Sequence, residues 1–175
     1  MVPLTFVILL LASCDQPAEP LHTDHELNIL DDTIINYNHQ VVQSENQEIE
    51  DFTRRYHWQM KISPTGLRFM IYKNGHGIKA DKEKIATLHY TVKKLNGDLI
   101  YIADSVHPMT FELGKNQVAN GLEEGVLLMK TGDHAKFILP SHLAFGLLGD
   151  LDKIYQRTIL VYDVHLIDIK EKNIK

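Results

Sequence analysis

Residues 84–95 (KIATLHYTVKKL) alternate, with Ala86, Leu88, Tyr90 and Val92 on one face and Thr87, His89, Thr91 and Lys93 on the other. A period of two is that of a strand with one buried face. Asn96-Gly97 follows and predicts a tight hairpin through two left-handed residues, returned by a strand over 99–102. Shorter apolar runs at 67–72, 111–113 and 137–139 and a long one at 159–169 predict further strands. Between them the pattern changes period: Val118, Leu122, Val126 and Met129 form a helical stripe over 117–130, closed by Thr131-Gly132 as a C-cap. The turn signal Ser63-Pro64-Thr65-Gly66 opens this region. Antiparallel strands, tight turns and one helix predict an α+β fold in which a curved sheet wraps a single helix.

Upstream the pattern differs. Residues 32–56 contain neither Pro nor Gly, and Ile34, Ile35, Val41, Val42, Ile49 and Phe52 recur at loosely helical spacing, so one or two helices are expected. Residues 15–26 (DQPAEPLHTDHE) are polar, carry two prolines and read as part of a tether over 14–26. Charge sharpens this division. The 175 residues carry a formal net charge of −5, but residues 15–57 hold ten acidic and two basic side chains, leaving the remainder at +3. The chain therefore reads as an acidic helical arm over 27–60 followed by a compact domain over 64–170. Such an arm could pack on the domain, dimerise, or act as a spacer, and the spacer is the simplest reading. The overall acidity argues against a dedicated nucleic-acid binder, which needs a basic footprint.

The extreme N-terminus adds a targeting signal. Residues 4–12 (LTFVILLLA) are a run of nine, apolar but for Thr5, too short to span a bilayer but suited to the core of an export signal. Leu11-Ala12-Ser13-Cys14 follows and resembles a bacterial lipobox, although no Lys or Arg precedes the run. The resemblance implies a signal peptide over 1–13 and acylation of Cys14. Cys14 is the sole cysteine, so it forms no internal disulfide, and several acyl chains at about 0.8 kcal/mol per buried methylene would anchor it to a membrane.

Candidate chemistry is sparse. Ten histidines invite a metal reading, yet His89, His107, His134, His142 and His165 stand singly, and the His22/His25 pair lies in the tether without further ligands. No HExxH, P-loop, dinucleotide fingerprint or nucleophile elbow is present. Glu123-Glu124 and Asp150/Asp152 are the paired carboxylates. The first two point to different sides of a helix and read as a solvated face. What remains is binding, or a reaction that needs no nucleophile, base, metal or cofactor.

Tyr72, Ala86-Thr87-Leu88-His89-Tyr90-Thr91, Asn96-Gly97, Phe111-Glu112-Leu113-Gly114-Lys115, Gly121-Leu122-Glu123-Glu124-Gly125, Met129, Gly132, Pro140-Ser141-His142-Leu143-Ala144-Phe145-Gly146 and Val161-Tyr162-Asp163-Val164-His165-Leu166 resemble, in order, the signatures of FKBP-type peptidyl-prolyl cis-trans isomerases. The resemblance implies a half-barrel sheet around one helix and rotation about X–Pro bonds of unfolded or extended polypeptides. It places catalytic ring surface at Tyr90, Phe145 and Tyr162, and further proline-pocket positions at Ile100, Tyr101, Met109, Val118, Ala119 and Leu122. Val118 and Ala119 are expected to begin the helix, offering free N–H groups. Several positions depart from the common pattern. Leu122 stands where many members have tryptophan, Phe145 lacks the usual phenol hydroxyl, and Tyr101 replaces the usual aspartate. These losses keep open a second reading, a chaperone or adaptor that binds apolar segments with little or no turnover. A third is a structural envelope component acting through the arm. The lipobox, the arm, TGLRFMIY at 65–72 and PSHLAFGLLGD at 140–150 resemble envelope lipoprotein isomerases associated with gliding motility, which implies a non-cytoplasmic location and exported clients. Nothing in the sequence specifies an oligomeric state.

Overall fold

The computed structural model describes residues 24–172, with side chains from residue 33 onward. The expected signal peptide and Cys14 anchor lie outside the described residues. The chain divides after Asn38 into two compact units. Helix α1, Asp24–Arg55, begins inside the stretch read as tether. Within the first unit Ile34, Ile35 and Tyr37 are exposed.

The second unit is built on a seven-stranded antiparallel sheet. Its strands are β1 (Lys61–Ile62), β2 (Arg68–Lys73), β3 (Ile85–Lys94), β4 (Leu99–Ala103), β5 (Met109–Glu112), β6 (His134–Leu139) and β7 (Leu160–Lys170). The order is β1-β2-β6-β7-β3-β4, and β5 pairs with the first half of β3, beyond the stretch of β3 that β4 occupies. The two-residue strand β1 was not expected from the pattern. Alternation along β3 and β7 sends Ala86, Leu88, Val92, Leu160, Tyr162, Val164 and Leu166 inward, where they pack with Leu122 and Val126 of the short helix α2, Asn120–Leu127.

Three expectations are corrected. The β3–β4 turn has one left-handed residue, Gly97 (φ 94°), rather than two. Lys94 N–H donates to the Asp98 carbonyl and Gly97 N–H to the Lys94 carbonyl, so the loop holds three residues and ends in a glycine bulge. Helix α2 is eight residues long, not fourteen. Upstream, the chain is captured by side chains before it can coil: Gln117 Oε1 accepts from Glu112 N–H (3.0 Å), and Glu123 accepts from Gly114 N–H (2.8 Å) and Asn116 N–H (3.1 Å). At the other end Leu128 and Met129 N–H turn back to the Gly125 and Val126 carbonyls and close the helix, so Gly132 lies beyond it and donates its N–H to the Leu166 carbonyl at 2.8 Å. The bonds that Glu123 accepts overturn its solvated reading, while Glu124 stays partly exposed. Glu123 is 8% exposed, and Glu124 accepts from the Thr65 hydroxyl at 2.7 Å.

The arm is more than a spacer. Ile49 and Phe52 of α1 bury against Ile138, Ile159 and Val161 on the outer face of the sheet, joined by Trp58, Met60 and Leu95. The sheet thus has apolar cover on both faces, from α2 within and from the end of α1 outside.

Candidate active site

A cleft of about 450 Å³ opens beside α2. Its walls come from consecutive parts of the fold: Tyr90 of β3, Tyr101 of β4, Met109 of β5, the segment from Asn116 to Asn120, Leu122 of α2, Ala144 and Phe145, and Tyr162 of β7. Of the nine positions implied by the family resemblance, eight line this cleft. Ile100 does not; it is 8% exposed and belongs to the sheet core. Val118 and Ala119 precede the helix rather than begin it, with Ala119 as its N-cap residue (φ −53°, ψ 135°). Asn116, Gln117, Asn120 and Ala144 were missed. The polar run between Gly114 and the helical stripe was the available signal, but its capture by Glu123 was not visible in the pattern.

The rings meet edge to face. Tyr90 and Tyr162 lie 5.7 Å apart at 62°, a favourable arrangement of aromatic quadrupoles. Burial pushes the Tyr90 phenol above its usual range and does the same to Tyr162, helped by Tyr90, Asp150 and Tyr101 nearby. Both stay neutral donors at ordinary pH. Among the described residues neither hydroxyl bonds a protein group.

Tyr101 is engaged differently. Its hydroxyl donates a short hydrogen bond to Asp150 and approaches Asp152 at 3.2 Å. Asp150 also accepts from Ile154 N–H (2.7 Å) and Asp152 N–H (3.0 Å), which folds the loop after Phe145 into a compact turn. Burial raises the Asp150 pKa, but the Tyr101 phenol and these N–H groups together outweigh it and hold the carboxyl below its ordinary value. The hydrogen bond to Asp150, followed by burial, pushes the Tyr101 phenol up. The loop thus brings a carboxylate to the strand position of Tyr101.

Leu147, Leu148 and Leu151 of that loop are exposed. Among the described residues no three His, Cys, Asp or Glu side chains are placed to hold a metal ion. The cleft offers ring surface, aliphatic surface and phenol donors, a set suited to binding a nonpolar group next to an amide.

The second unit is thus an antiparallel sheet folded over one short helix, with an aromatic cleft at the helix start. The model of FKBP-type peptidyl-prolyl cis-trans isomerases matches residues 77–167, just over half of the chain, and the chain belongs to this family. It is 37% identical over 111 residues to the probable FKBP-type peptidyl-prolyl cis-trans isomerase FkpA of Neisseria meningitidis and 38% identical over 113 residues to FkpA of Aeromonas hydrophila. These alignments cover 63% and 64% of this chain but 40% and 41% of those proteins, so the chain spans less than half the length of either. Among solved structures, Escherichia coli FkpA superposes with a TM-score of 0.65 at 22% identity, over 86% of this chain and 75% of that one, a likeness of fold. AtFKBP13 gives 0.59 at 28% identity, over 63% of this chain and 98% of that one.

Proposed function

We propose that this protein is a peptidyl-prolyl cis-trans isomerase that accelerates X–Pro rotation in exported envelope polypeptides and is held at a membrane by acylated Cys14. The observation that carries the proposal is the 450 Å³ cleft in which Tyr90, Leu122, Phe145 and Tyr162 converge. Rotation about an X–Pro bond faces a barrier of about 18–20 kcal/mol and takes tens to hundreds of seconds unaided. The twisted amide has lost resonance and with it part of its charge separation. A water-poor cleft therefore favours it over the planar, well-hydrated ground state. The proline ring would sit on Tyr90, Phe145 and Tyr162, with Tyr101, Met109, Val118, Ala119 and Leu122 holding the flanking chain. The N–H groups of Asn120 and Gly121 at the start of α2, which lack intrahelical partners, and the Tyr90 and Tyr162 hydroxyls are donors available to a substrate carbonyl. Location rests on the lipobox-like Leu11-Ala12-Ser13-Cys14. No helix among the described residues is long and apolar enough to cross a membrane.

The test is X–Pro exchange in proline tetrapeptides, measured by NMR with micromolar full-length protein. Acceleration above background that falls in Tyr162→Ala and Phe145→Ala supports the isomerase. Binding without acceleration would favour an FKBP-fold chaperone or adaptor instead, a reading motivated by the absence of a hydroxyl on Phe145 and of an indole at Leu122.

A further inference from the structure

Glu45 lies on α1, 96 residues before the segment it touches, and is 6% exposed. Both of its carboxylate oxygens are taken by one residue: Ser141 donates its N–H to Oε2 at 2.9 Å and its hydroxyl to Oε1 at 2.5 Å. Ser141 opens a single 3-10 turn, Ser141–Leu143, whose exit carries Ala144 and Phe145, two walls of the cleft. The carbonyl of the same serine accepts from Ala144 N–H (3.1 Å) and Gly146 N–H (2.8 Å), bracketing Phe145. Ser141 is therefore a hub with all three of its polar groups committed, two toward the arm and one toward the cleft wall.

The neighbouring contacts keep the helix from sliding past this hub. Asn46 Oδ1 accepts from Arg68 Nη2 at 2.8 Å, while Arg68 Nη1 donates to the Gly66 carbonyl at 2.7 Å. One turn further, Ile49 is fully buried against the sheet. A buried carboxylate is costly unless its oxygens are hydrogen-bonded. Here both donors come from the start of the cleft-bearing turn, so the arm and that turn hold each other in register.

We propose that Glu45 is a positioning residue for the cleft: through Ser141 it fixes the Ala144–Phe145 wall at the distance a twisted prolyl amide requires. The proposal rests on the isomerase reading of the same cleft. Reactions that depend on placement are sensitive to displacements of about 1 Å, and the other holds on this turn, His142 on the Thr65 carbonyl (3.0 Å) and the buried Leu143, leave Ser141 itself to Glu45.

The experiment uses the full chain in four variants, Glu45→Ala, Glu45→Gln, Ser141→Ala and Gln47→Ala, the last on the same helix and outside the contact. X–Pro exchange is read as separate kcat and KM, and the amide signals of Ala144 and Gly146 are followed by NMR alongside thermal melting. Glu45→Ala is expected to lower kcat about tenfold with little change in KM and to move both amide signals. Glu45→Gln keeps an acceptor for the Ser141 N–H and is expected to return most of the rate, and Gln47→Ala to match the wild type. A Glu45→Ala protein that folds and keeps kcat within about twofold of wild type, or a loss shared by Gln47→Ala, overturns the proposal. Should Glu45→Ala fail to fold, Ser141→Ala decides: it loses one hydrogen bond, and an unchanged kcat overturns the proposal. If the wild type shows no exchange activity the isomerase reading falls by itself. The positioning role is then judged on the amide signals, and unmoved Ala144 and Gly146 signals in Glu45→Ala, or in Ser141→Ala where Glu45→Ala does not fold, overturn it.

Discussion

Tyr162 is 4% exposed and still forms part of the cleft wall. A phenol in that position supplies both a face for a proline ring and a hydroxyl. Phe145, across the same cleft, supplies a face alone. If the Tyr162 hydroxyl donates to the substrate, Tyr162→Phe removes one neutral hydrogen bond and lowers kcat/KM by about two- to thirteenfold, the range expected for about 0.5–1.5 kcal/mol. Phe145→Tyr in the Tyr162→Phe background should then recover much of the loss by presenting a hydroxyl from the opposite wall. Exchange rates of the two single variants and the double variant check this. A double variant no faster than Tyr162→Phe argues that the donor position is fixed by β7 and cannot be moved. Tyr101 should behave differently, since its hydroxyl is already given to Asp150. That partnership was not legible in the sequence: the two residues are 49 positions apart and meet only because Asp150 folds its loop around its own N–H acceptor bonds.

Helix α2 shows how far periodicity reaches. Its existence and its place inside the sheet follow from the stripe in which Leu122 and Val126 fall, though Val118 and Met129 of that stripe lie just outside the helix, and the strands follow from alternation. Its length does not, because Gln117 and Glu123 bind backbone N–H groups of the preceding segment. Such captures compete with helix formation but leave no trace in the hydrophobic pattern. The glycines of α2 were likewise read only as family signatures. A Cβ on Gly125 would lie 2.7 Å from the Phe137 ring, and one on Gly121 would lie 2.6 Å from Leu139 Cγ and 3.1 Å from Leu143 Cβ. An exposed helical Gly→Ala change normally stabilises by about 1 kcal/mol. Here the methyl overfills a packed core, and Gly125→Ala is expected to destabilise by about 1–3 kcal/mol, measured by chemical denaturation. A more stable Gly125→Ala protein contradicts the close helix–sheet approach. Gly121→Ala presses on Leu143 as well, so it should also shift the Ala144–Phe145 wall and lower exchange activity.

Across the whole sheet, the outer face carries a polar row that the inner face lacks. His134, His165 and His89 stand opposite one another on β6, β7 and β3. His134 and His165 stack with ring centroids 3.8 Å apart, and Tyr72 of β2 continues the row 5.9 Å from His134. From the sequence each histidine looked solitary, because cross-strand register, not spacing along the chain, brings them together. Burial lowers the His134 pKa first and Lys73 adds to this, while Asp163 and Asp133 oppose it; burial lowers His165 too, reinforced by His134, His89 and Lys73. The unfolded chain, with imidazoles near 6.5, therefore binds protons more readily than the folded one. Stability present above that pH is lost as pH falls through the depressed folded values. The depressed carboxyls Asp104 and Asp150 respond only near and below 3.8, so the histidines can be isolated between pH 7 and 5. Over that window Tm should fall for the wild type and fall less for His165→Gln, which removes one titrating ring. Parallel Tm–pH curves for the two proteins would show that the row does not couple folding to protonation. Because the row lies on the face of the sheet away from α2 and the cleft, the same substitution should leave X–Pro exchange at pH 7 unchanged, separating global stability from activity.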